Sequence, residues 1–184
     1  MSAAVALLAG VLLIPTVAAA APPLCDGKPA TIVGTMGNDE LEGTPGDDVI
    51  VGLGGDDIIR GKGGLDQICA GPGRDLVYGG SDSDWISGGP GRDRIEGGSG
   101  DDVIIGGSGK DKLFGGVGID VIWGGGGNDT LVGGAGGDTL RGQSHDDLLK
   151  GKPGRDLLYG GSGYDIAKGG AGKDICKAEE ESSC

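Results

Sequence analysis

The chain has 184 residues, of which 45 are Gly and only 3% are aromatic. Glycine at that density, against roughly 7% in ordinary domains, excludes a helical fold and leaves too few large side chains for a thick core. The formal charge of −13 rests on 28 acids against 15 Lys and Arg, which excludes nucleic acid as a partner and fits a binder of cations. From the N-terminus, residues 3–14 (AAVALLAGVLLI) form an apolar run, followed by VAAAAPP with small residues at Ala18 and Ala20. That is the pattern of a secretory signal peptide over residues 1–20, although no Lys or Arg precedes the run. It predicts a secreted, extracellular protein with no membrane attachment after cleavage. Residues 21–33 then read as an N-terminal cap segment, 34–177 as a repeat region and 178–184 as a C-terminal tail.

The repeat runs from Gly34 to Lys177 as sixteen blocks of nine with no insertion or deletion. Its sixth place is Asp throughout: Asp39, Asp48, Asp57, Asp66, Asp75, Asp84, Asp93, Asp102, Asp111, Asp120, Asp129, Asp138, Asp147, Asp156, Asp165 and Asp174. The first place is Gly except at Ala70, and the fourth is Gly except at Asp82 and His145. The eighth is Leu, Ile or Val until Ala167 and Cys176. The second place is looser, with Thr35, Thr44, Leu53, Lys62, Gln143 and Lys152 in place of Gly. A flexible linker has no reason to hold an aspartate and an aliphatic at period nine.

Each block divides into a turn and a strand. The G-G-x-G-x-D half is rich in residues that accept positive φ, and the half exemplified by DVIIG, DVIWG and DTLVG favours extended chain. Alternation along the strand sends the eighth-place aliphatic to one face and the seventh and ninth places to the other. The ninth place holds Glu42, Arg60, Glu96 and Lys150 among its members, so that face is wet. Two strands and two turns close a coil of eighteen residues, and block n lies over block n+2 at about 4.8 Å. The predicted fold is therefore all-β: a parallel β-roll, or two-sided β-solenoid, of about eight coils.

Stacking also raises a column of aspartates on each edge, which repels itself without a counter-charge. Carboxylates beside glycines that bare their carbonyls form an all-oxygen cage. That donor set selects Ca2+ over Mg2+, which demands stricter geometry, and over zinc, which wants His and Cys. Seven gaps on each edge set an upper limit of about fourteen ions. GGPGRDRIE, GGSGDDVII and GGGGNDTLV match every place of the motif G-G-x-G-x-D-x-U-x. Over residues 34–177 the chain resembles the RTX, or hemolysin-type, calcium-binding repeat family. The resemblance implies a parallel β-roll, calcium held between the turns of alternate repeats, and a chain that is disordered without calcium. CDGKPATIVGT and the cysteine-bearing tail also resemble small secreted calcium-binding proteins of actinobacteria.

Some places depart from the motif. Asp82 adds a carboxylate, and His145 brings a bulky side chain to a place that wants positive φ and reads as a drifted glycine. At Leu53 and Lys62 the following Gly54 and Gly63 are expected to take over the flexibility. Of the three pairings open to four cysteines, Cys176 lies close to Cys184, leaving Cys25 for Cys69, with both bridges expected to cap the ends of the solenoid. There is no room for a catalytic domain, and the single His lies inside the repeats, so no enzyme is expected. Trp85 and Trp123 take outward strand places. The expected function is a secreted calcium-binding monomer that folds on binding. The alternative is a calcium-dependent adhesin whose outer faces meet an extracellular glycan or cell surface.

Overall fold

The computed structural model describes residues 21–184, so residues 1–20, where a signal peptide is expected, lie outside the described residues. Among the described residues there is no helix. The strands are β1 (Leu24–Cys25), β2 (Lys28–Pro29), β3 (Ile32–Val33), β4 (Glu40–Glu42), β5 (Val49–Val51), β6 (Ile58–Gly63), β7 (Gln67–Cys69), β8 (Leu76–Ser81), β9 (Trp85–Gly91) and β10 (Arg94–Ser99). They continue as β11 (Val103–Gly109), β12 (Lys112–Val117), β13 (Val121–Gly126), β14 (Thr130–Ala135), β15 (Thr139–Ser144), β16 (Leu148–Gly154), β17 (Leu157–Ser162), β18 (Ile166–Gly172), β19 (Ile175–Lys177) and β20 (Glu180–Ser182).

Odd strands from β3 to β19 form one nine-stranded sheet, and even strands from β4 to β20 form the other. Pairing along each sheet is parallel, with Ile104 on Ile86 and Ile122, and Leu113 on Ile95 and Leu131. The partners stand eighteen residues apart, so the structure is the parallel β-roll expected from the repeat. The eighth-place side chains from Ile50 to Ala167 are fully buried and form one continuous core between the sheets. The neighbouring seventh and ninth places are for the most part half-buried or exposed, as strand alternation requires. Trp85 and Trp123 lie half-buried on the outer face.

The glycine-free second places do not behave as expected. Leu53 and Lys62 themselves take φ of +79° and +86°, and the flexibility does not pass to Gly54 and Gly63. The ladder is the reason: Lys62 is in register with Gly80, which has φ +128°, so its backbone follows the coil above whatever its side chain. Such a conformation costs an ordinary residue about 1–2 kcal/mol. Asp82 and His145 pay the same strain at the fourth place, with φ of +72° and +79°.

Both expected disulfides are present, Cys25–Cys69 and Cys176–Cys184, with Cα separations of 5.7 and 5.9 Å. Their placement differs from an end cap in one respect. The β1–β2 hairpin turns at Asp26 and Gly27 and packs against β5 and β7, on the outer face of the odd sheet. It buries Cys25, Val51 and Gln67 there. At the other end the tail supplies β20, which pairs in parallel with β18, Ile166 opposite Glu180. That spacing is fourteen residues, not eighteen, so the last coil is tighter than the rest.

Truncating the core tests this packing. Ile104→Ala should lower the stability of the folded roll by about 2–5 kcal/mol in urea unfolding, whereas Ile119→Ser, at an exposed turn, should change it by less than about 0.5 kcal/mol.

Candidate metal centre

The turns at the two edges carry the sixteen sixth-place aspartates in two columns. One runs Asp39, Asp57, Asp75, Asp93, Asp111, Asp129, Asp147, Asp165, and the other Asp48, Asp66, Asp84, Asp102, Asp120, Asp138, Asp156, Asp174. A single hydrogen bond repeats down both. The backbone N–H of each aspartate donates to Oδ1 of the aspartate eighteen residues on, at 2.8–3.0 Å, in fourteen successive instances. Asp84, Asp102 and Asp120 thus share one column, and Asp93, Asp111 and Asp129 the other. Asp165 has no such successor, and its N–H donates instead to Oε2 of Glu179 at 2.8 Å. Glu179 escapes a reading by period nine because it falls after the repeat breaks.

The second oxygen of each carboxylate is different. Oδ2 of Asp57 and of every later sixth-place aspartate through Asp174 is buried without a hydrogen-bond partner, fourteen atoms in all. A buried, unpaired charged oxygen is costly, and a regular column of them calls for a shared cause. Each Oδ2 points at the first-place glycine of its own turn. A Cβ placed on Gly106 would lie 2.7 Å from Asp111 Oδ2 and 2.5 Å from the carbonyl oxygen of Gly124, one coil on. At Gly88 the corresponding distances are 2.6 and 2.7 Å, and at Gly124 they are 2.6 and 2.8 Å. The first-place glycine is therefore required by close approach of two oxygens. Ala70 is the one place where a methyl group stands there, beside Asp75.

Among the described residues no three His, Cys, Asp or Glu side chains converge on one point. The remaining donors are backbone carbonyls, and the set is all oxygen. An oxygen-only set of carboxylates and carbonyls, with no His or Cys in it, fits Ca2+ and does not fit zinc.

Asp39 and Asp48 stand apart. Their Oδ2 atoms are satisfied from within the turn. Thr35 donates its N–H at 2.6 Å and its hydroxyl at 2.9 Å to Asp39, and Thr44 does so at 2.6 and 3.0 Å to Asp48. These are the two turns with Thr at the second place, a local difference visible in the sequence whose consequence is not. His145, the drifted glycine, accepts the Gly127 N–H at Nδ1 over 3.2 Å. Asp82 Oδ2 accepts the Gly64 N–H at 3.3 Å.

Burial sets the protonation of the columns. It pushes the carboxyls of Asp84, Asp93 and Asp147 up to about 7, and those of Asp66, Asp75, Asp102, Asp120, Asp129 and Asp138 up to about 6. Asp57, Asp111, Asp156 and Asp165 are raised for the same reason. The N–H bond from the preceding coil opposes the rise, and in most turns a stacked carboxylate adds to it.

A model of the RTX calcium-binding nonapeptide repeat matches the chain at residues 33–68, 70–104, 87–122, 105–140, 123–158 and 150–178. No curated protein matches it.

The raised values have a definite sign. A carboxyl that binds its proton more tightly when folded stabilises the fold fully below about pH 4, and that stability is lost as pH rises through 6–7. In chelator, acidification from about pH 8 to pH 5 should therefore increase the β signal in circular dichroism. Over the same range protons should compete with metal and weaken its binding. A chelated chain that loses β signal on acidification contradicts this account of the columns.

Proposed function

Because the chain belongs to the RTX calcium-binding nonapeptide repeat family, we propose that it is a secreted calcium-binding protein, not an enzyme, whose ordering is coupled to the ions. The observation that carries the reading is the set of fourteen orphaned Oδ2 atoms, seven on each edge. The ligands are Asp57, Asp75, Asp93, Asp111, Asp129, Asp147 and Asp165 on one edge, and Asp66, Asp84, Asp102, Asp120, Asp138, Asp156 and Asp174 on the other, with the carbonyls of adjoining turns. That number agrees with the limit of about fourteen set by the gaps between coils.

Calcium, when bound, supplies the positive charge that the stacked carboxylates lack. The rest follows from the chain's own residues. In the stacked coil each carboxylate is held by the N–H of the preceding coil, which aims its free oxygen. The glycines keep the approach open and the carbonyls bare. A carboxylate and a carbonyl from the next coil meet only in the stacked state, so binding and stacking are one equilibrium. The acidic signal-bearing chain is suited to a compartment where calcium is plentiful, and the coupling would delay folding until export. Asp39 and Asp48, satisfied by Thr35 and Thr44, form the calcium-independent start of the roll.

Calcium titration followed by circular dichroism should show a cooperative gain of β signal, reversed by chelator. An unchanged β spectrum in excess chelator at neutral pH would sink the proposal. Within that titration, Asp111→Asn should raise the calcium midpoint by about fivefold or more, and Asp48→Asn by less than about twofold. Gly106→Val, whose side chain outgrows the methyl that Ala70 sets beside Asp75, should fill the approach to Asp111 and behave as Asp111→Asn does, with one fewer ion bound by calorimetry.

A further inference from the structure

One edge of the roll inverts the charge of the molecule. Down that edge the fifth place of successive turns reads Asn38, Asp56, Arg74, Arg92, Lys110 and Asn128. Three cations therefore stack in consecutive coils, about 4.8 Å apart along the axis. Beside them on the even sheet Arg94 stands in direct register with Lys112. Like charges facing one another across a ladder destabilise it. Five of the chain's 15 Lys and Arg are thus crowded into three coils of a protein with net charge −13.

The crowding is not relieved from within. Arg94 is paired with Glu96 and lies 4.4 Å over the Phe114 ring. Arg74, Arg92, Lys110 and Lys112 form no ion pair among the described residues. The nearest aspartates in sequence cannot answer them, because Asp75, Asp93 and Asp111 spend Oδ1 on the preceding coil and turn Oδ2 inward. Between the two columns of cations runs a groove of about 440 Å³, lined by Arg74, Arg92, Arg94 and Lys112 over Ile58 and Leu76.

We propose that this edge binds a linear acidic polysaccharide, sulfated or built of uronic acids, laid along the roll axis with successive charges on successive coils. The inference rests on the calcium reading, since Asp56, Asp57, Asp75 and Asp93 also line the groove and oppose an anion, the last three until cations neutralise them. A polymer suits the site better than a small anion because each coil repeats the same contact, and linked contacts reinforce one another. A polysaccharide suits it better than a nucleic acid because the rings beside these cations are covered and not free for a base to stack on. Tyr78 is covered by Arg60 at 6.0 Å and Phe114 by Arg94 at 4.4 Å.

The test is binding of the full secreted chain, in excess calcium, to heparin and polygalacturonate, with dextran and single-stranded DNA alongside. At least one acidic glycan should bind, dextran should not, and binding should weaken with salt. Arg74→Glu with Arg92→Glu should weaken it about tenfold or more. Arg155→Glu with Lys173→Glu, stacked on the opposite edge, should stay within about twofold. Arg74→Gln with Arg92→Gln repeats the loss without introducing new acids, and circular dichroism of each variant in calcium checks that the roll is intact. Failure of both acidic glycans to bind, equal loss from the two edges, or tighter binding of DNA than of either glycan overturns the proposal. A wild-type spectrum indifferent to calcium would sink the calcium reading, while the comparison of the two edges would still decide this one.

Discussion

Everything in this roll turns on carboxylates that are placed next to one another and out of water. Stacking at the spacing of a parallel sheet puts each aspartate directly above another of the same charge. Hydrogen bonding then uses one oxygen of each, in the N–H to Oδ1 bond that repeats from coil to coil. The other oxygen is left buried and bare. Charge in such surroundings must be neutralised by a proton or by a cation, and both routes favour the same stacked coil. The core helps by being continuous, one aliphatic per strand, but it is thin. The edges, not the middle, decide whether the chain is ordered.

The same constraint explains the glycines. At the first place the exclusion is steric, because a carboxylate oxygen and a carbonyl oxygen already crowd the point where a side chain would begin. At the second and fourth places positive φ is added to a close backbone oxygen, 2.2 Å from a Cβ at Gly80, yet there the chain tolerates exceptions: Leu53, Lys62, Asp82 and His145 accept positive φ because their neighbours in the ladder leave no other path. The two kinds of glycine look alike in the repeat yet differ in what would replace them. The single exception at the first place is the smallest available, Ala70.

Much of this was legible in the order of residues. Period nine with a buried aliphatic at each eighth place dictates strand, turn and the coil of eighteen, and the paired columns follow from it. The cysteine pairs follow from what such a coil can bring together. Three features were not legible. The β1–β2 hairpin lies on the outer face of the odd sheet, and nothing in LCDGKP says which surface it covers. Glu179 and β20 close the roll by a shorter spacing that breaks the repeat. Thr35 and Thr44 satisfy their aspartates through a backbone N–H as well as a hydroxyl, a contact that depends on the exact path of the turn and not on residue type alone.

The near-identity of the coils has a topological consequence. A strand displaced by one whole coil would set Ile on Ile, Asp on Asp and Gly on Gly, so most of the roll cannot tell a correct stack from one that has skipped a coil. The parts able to count are those that occur once. Cys25 meets Cys69 only if the intervening coils are complete, and Glu179 meets Asp165 only in the last one. Between these two landmarks the chain is a ruler without numerals, and the bridge and the tail supply its zero and its end.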